Sequence, residues 1–100
     1  MLELMKYEVV RNSDLILNLK EIYYRQIESG EKTHEYREVK PYWEKRLRYP
    51  YQGIQIRLGY PKADDESRIL KFKWSTPFKT TKNLMGEGIK EVFAIPLVKE

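Results

Sequence analysis

Cysteine is absent from this chain. That excludes disulfides, thiol catalysis and cysteine-ligated zinc, and leaves no sign of an oxidising compartment. Histidine occurs once, at His34. A serine-type catalytic centre would have to use it, and no nucleophile-elbow motif is present. Glycine-rich phosphate loops are missing too, since Gly86-Glu87-Gly88 is too short to be more than a turn. The carboxylate run Asp64-Asp65-Glu66 lacks calcium-loop spacing, and its neighbours point apart, so it reads as a solvated loop. No apolar run approaches the ~20 residues of a membrane helix. Met1 to Lys6 show no sustained apolar stretch of the secretory kind. The expectations are a cytoplasmic protein with no cofactor, no metal, no membrane contact and no disulfide-linked partner. A protein partner stays open.

What the chain does have is charge. Of its 100 residues, 34% are charged and 41% apolar, which suits one globular domain spanning residues 1–100. The formal net charge is +4. Two segments carry the excess. Arg37 to Arg48 holds five basic residues against two acidic, and Ser67 to Gly86 holds five basic and none acidic. If the fold joins them, a positive face favours phosphate-bearing partners; if it does not, they are two solvated faces.

Residues 1–13 are read as an irregular lead-in or an edge strand. Asp14 to Leu19 alternates as a strand with one buried face. Lys20 to Ser29 reads as a helix with Ile22, Tyr23, Gln26 and Ile27 inward. Gly30 follows as its left-handed cap. Thr33 to Val39 is a second strand, with Glu35 and Arg37 on one face, roughly 7 Å apart. His34 and Tyr36 fall on the other face, as packing residues. Pro41 opens a short helix to Arg48, with Tyr42, Trp43 and Leu47 as its apolar side. Ile54 to Tyr60 and Arg68 to Ser75 alternate as strands. Thr76 to Ile89 reads as a long connection, and Lys90 to Val98 as a closing strand. Phe72 and Trp74 sit at core positions, whereas Tyr49 and Tyr51 lie in a loop and are candidates for the surface. The fold class predicted is α+β: five or six mostly antiparallel strands curled into a barrel, with two short helices.

The residues with chemistry cluster at Lys32, Glu35 and Arg37. A lysine serves as base or nucleophile when desolvated. A carboxylate accepts from a base edge. An arginine grips phosphate or carboxylate with two bonds. Glu35 and Arg37 either pair with each other or hold one ligand together, and the same charges also suit an edge strand kept from pairing.

The order of strand, helix and then Gly30-x-Lys32-x-x-Glu35-x-Arg37 resembles the GxKxxExR signature of the ASCH domain family, over residues 14–98. The resemblance implies a PUA-like β-barrel with a cleft beside the motif that takes RNA or a nucleotide. Carried over, Lys32, Glu35 and Arg37 line the cleft and Gly30 shapes the turn. Lys40, Arg57, Lys71 and Lys73 complete the expected binding set. Some small members of that family hydrolyse acylated cytidines with the motif lysine, a hydroxyl residue three positions on and a distant glutamate. Lys32 matches the first, and Glu35 stands where the hydroxyl would be. If the chain is an enzyme, Lys32 and Glu35 are its catalytic candidates.

Overall fold

The computed structural model describes residues 11–59, 65–84 and 86–100. The end of the predicted third strand at Tyr60 lies outside them, as do Asp64, most of the acidic loop and most of the lead-in.

β1 (Leu15–Leu19) shows why the chain folds as it does. Leu15, Leu17 and Leu19 are buried while Ile16 and Asn18 are half-buried, the period-two pattern of a strand with one face on the core. β1 runs parallel to β3 (Gly53–Leu58), with Leu15 opposite Ile54 and Leu17 opposite Ile56. Parallel neighbours require a long crossover. Here it contains α1 (Glu21–Glu28), β2 (His34–Glu38) and α2 (Pro41–Arg46). β3 pairs antiparallel with β4 (Ile69–Lys73).

The second sheet has the order β2–β6–β5, all antiparallel, with β5 at Phe78–Asn83 and β6 at Ile89–Pro96. β6 lies in the middle, and Val92, Phe93, Ala94 and Ile95 are buried in succession. After Pro96 the chain changes sheets. Leu97 donates its N–H to the Thr33 carbonyl (3.0 Å), and β7 (Val98–Lys99) then pairs with β4. The first sheet therefore has the order β1–β3–β4–β7. The class is α+β, with seven strands in two sheets and two α-helices among the described residues. These sheets do not close on one another as the predicted barrel would.

The core lies under the first sheet and α1, with Leu15, Leu17, Ile54, Ile56, Tyr24 and Ile95 at its centre. Five readings of the sequence are corrected. The inward residues of α1 are Tyr24 and Ile27, whereas Ile22 is exposed; the 24/27 pair at helical spacing faces the sheet and Ile22 falls outside that stripe. Tyr51 is core, packed 5.5 Å from the Trp74 ring. Tyr42 is exposed, while Trp43 and Leu47 pack against the core. The Thr76 to Ile89 connection contains β5, whose sequence Phe-Lys-Thr-Thr-Lys-Asn is almost wholly exposed. A strand held by backbone bonds to β6, with neither face buried, has no apolar alternation to betray it. The closing strand is likewise split at Leu97, where it passes between sheets.

Candidate functional site

The site begins at the end of α1. Gly30 has φ +85°. That left-handed turn lets the chain reverse, and the Lys32 N–H reaches back to the Gln26 carbonyl at 2.9 Å. Lys32 is thereby fixed beside the helix end just before β2 starts.

On β2 the alternation turns Glu35 inward. It is the one charged residue among the buried described residues, 3% exposed. Burying an ionised carboxylate is costly unless it is paired. Lys32 Nζ donates to Glu35 Oε1 at 2.6 Å, and Arg37 Nη1 donates to Glu35 Oε2. Arg37 Nη1 also donates to the Tyr36 carbonyl (3.0 Å), and its guanidinium lies 5.2 Å from the Trp43 ring centre. α2, opened by Pro41, supplies that ring. Glu35 is thus clamped between two cations from its own segment, and one of these is stacked in turn on the following helix.

β2 is an edge strand of its sheet. A cleft of about 770 Å³ opens beside it. Four cations (Lys20, Lys32, Arg37 and Lys82) and two carboxylates (Glu31 and Glu35) line it. The amides of Asn18, Gln26 and Asn83 and the rings of Tyr23 and Tyr36 also contribute. The Lys32 ammonium lies 5.4 Å from the Tyr23 ring and 5.9 Å from the Tyr36 ring, and the Lys82 ammonium is 4.5 Å from Tyr36. Such cation–ring contacts hold both partners in place.

Of the residues predicted from sequence, Lys32, Glu35 and Arg37 come together here. Gly30 shapes the turn but does not line the cleft. Lys40 is ion-paired with Glu38 (3.4 Å), Lys71 with Glu66 (3.5 Å), and Lys73 is exposed on β4. Arg57 donates twice to Gln55 Oε1, at 3.1 and 2.8 Å. None of these four lines the cleft, so the basic residues of β3 and β4 belong to a different surface.

Tyr36 corrects the assignment of His34 and Tyr36 to packing alone. It does alternate away from Glu35, yet on an edge strand the cleft takes residues from both faces. His34 stays outside it, its ring 6.3 Å from Tyr36 and 5.8 Å from Phe78. Lys82 and Asn83, from the end of β5, are not reachable by local spacing. The run of basic residues without acidic ones up to Gly86 is the only signal, and it does not say which lysine turns inward.

Burial raises the Tyr24 hydroxyl above its ordinary value, and hydrogen bonding to Glu28 raises the surface Arg25. Among the described residues no cluster of three or more His, Asp or Glu side chains is placed to hold a metal ion, and no helix is long and apolar enough to cross a membrane. No family model, no curated protein and no solved structure matches the chain.

Proposed function

We propose that the cleft along β2 binds RNA or a nucleotide, in a cytoplasmic domain of ASCH type. The observation that carries this reading is the buried Glu35 carboxylate held between Lys32 and Arg37 in a cleft that also takes Lys20 and Lys82. The surplus of cations favours a phosphate. The amides of Asn18, Gln26 and Asn83 offer both donors and acceptors to a base edge. Tyr23 and Tyr36 supply ring faces for stacking. Glu35 serves mainly to aim the two cations, because each of its oxygens already accepts from one of them. The fold proposal that goes with this function is a PUA-like barrel opened between its two sheets and joined where β6 passes into β7.

The test is a fluorescence-anisotropy titration with short single-stranded RNA and with nucleoside monophosphates, repeated as salt rises. Binding should weaken with salt as counterions are released. Arg37→Ala should cost roughly tenfold or more, the worth of a charge-assisted bond of about 1.5–3 kcal/mol. Binding indifferent to both salt and Arg37→Ala would sink the proposal.

The second reading is hydrolysis of an acylated cytidine, with Lys32 activating water or the amide. The 2.6 Å contact between Lys32 Nζ and Glu35 Oε1 favours it, since such a pair can pass a proton. It predicts turnover that disappears in Lys32→Ala. Absence of product by mass spectrometry at high enzyme concentration removes this reading and leaves binding.

A further inference from the structure

A second cleft, of about 710 Å³, adjoins the first. The two share Asn18, which projects from the outward face of β1. The second is lined by Arg11, Asp14, Tyr42, Lys45 and Arg46 among others. Three of these are cations, and the single carboxylate, Asp14, already accepts from the Gln55 amide at 2.8 Å. Among the described residues no carboxylate is ion-paired with Lys45 or Arg46.

The cluster is built rather than scattered. Arg11 donates through Nη2 to the Lys45 carbonyl (2.9 Å) and through Nη1 to the Arg46 carbonyl. That fixes the last turn of α2, and with it the origins of both side chains. Arg46 Nη1 donates to the Tyr42 hydroxyl at 2.9 Å, and the guanidinium lies 5.4 Å from the Tyr42 ring. Its Nε is buried with no hydrogen-bond partner among the described residues. Orphaned donors of this kind are rare, and a charged one is costly. Tyr42 is 59% exposed, its ring meeting the Trp43 ring edge-to-face at 5.0 Å and otherwise open to solvent beside the Arg46 cation.

Trp43 joins the two clefts. Arg37 of the first lies 5.2 Å from its ring centre, and Arg46 of the second lies 5.3 Å from it. One indole therefore lies between a guanidinium of the first cleft and a guanidinium of the second.

We propose that the second cleft is a subsite for the adjoining phosphate and base of single-stranded RNA, so that the ligand is an oligonucleotide rather than a mononucleotide. The inference rests on the nucleotide-binding reading of the first cleft. Lys45 and Arg46 meet the next backbone phosphate, and the exposed Tyr42 ring stacks the base attached to it, the combination by which proteins hold single strands. Asn18, which lines both clefts, and Trp43, against which Arg37 and Arg46 both lie, keep the two positions in register.

The test compares a short mixed-sequence single-stranded RNA with each nucleoside 5′-monophosphate on the wild-type chain and on Tyr42→Ala/Lys45→Ala. Both positions are exposed and line no part of the first cleft, so the fold survives the change. The RNA should bind the double variant roughly tenfold more weakly at low salt, with a salt slope shallower by about 0.7, the loss of one phosphate contact. Monophosphate binding should not move. Equal loss for both ligands, no loss for RNA, or wild-type RNA affinity no better than that of a monophosphate overturns the second subsite. If Arg37→Ala still abolishes binding, the first-cleft reading survives that failure. Where neither ligand binds wild-type protein, both proposals fall together.

Discussion

Glu35 shows how one residue can be both a liability and an organiser. Its carboxylate is almost wholly removed from water, and its stability depends on two cations about one-fifth exposed, Lys32 at 22% and Arg37 at 21%. Removing one member of a buried charge cluster leaves the others uncompensated. Glu35→Gln keeps the volume and removes the charge. It should destabilise the fold by about 2–3 kcal/mol, below the range for fully buried pairs because solvent screens the two cations. Chemical denaturation would measure it, and a cost under about 0.5 kcal/mol would mean that the clamp is not structural. The period-two alternation of the strand is enough to put Glu35 and Arg37 on one face. The depth of Glu35 is not legible in the sequence, because a lone carboxylate in a strand is usually at the surface. What makes burial tolerable is Lys32, whose direction at the turn depends on a backbone bond to Gln26.

At the scale of elements, the turn between α1 and β2 decides where the site residues point. Gly30 is readable as a cap from its place after the helix, and its φ of +85° bears that out. An added Cβ there would meet nothing within 4 Å, so only backbone strain opposes substitution. Gly30→Ala should therefore cost about 1 kcal/mol, with NMR shifts confined to the turn and Lys32. A cost above about 3 kcal/mol would point to a role in packing. Elements with a buried face are legible, as β1, β3 and β4 show through Leu17, Ile56 and Phe72. β5 is not, because Thr80 and Thr81 sit among lysines and no face is apolar. One wall of the first cleft comes from that strand's end, so the part of the site carried by Lys82 and Asn83 stays hidden with it.

At the scale of the whole molecule, charge is divided between surfaces rather than pooled. The Arg37 to Arg48 segment serves both clefts, through Arg37 in the first and Lys45 and Arg46 in the second, while Lys71 and Lys73 lie elsewhere, on β4. The core sets a separate pH limit. Burial holds the Tyr24 hydroxyl above its ordinary value of 10.0, so it stays protonated in the fold when the unfolded chain has begun to ionise. Its contribution is complete below that value and is lost as the pH climbs through the raised one. Stability measured in denaturant should thus fall as the pH rises beyond the ordinary tyrosine value of 10.0, and Tyr24→Phe should flatten part of the fall. An identical decline in the variant would assign the effect to other groups.

The pairing of β2 with β6 also sets an order in time. The cleft's principal residues, Lys32 to Arg37, lie in the first half of the chain. Among the described residues the one strand that pairs with theirs runs from Ile89 to Pro96. A ribosome makes Glu35 and both of its cations long before it makes the strand that buries them. Until residues 89–96 are made the motif has no β6 to pair with, and the cleft comes into being only once that strand has emerged.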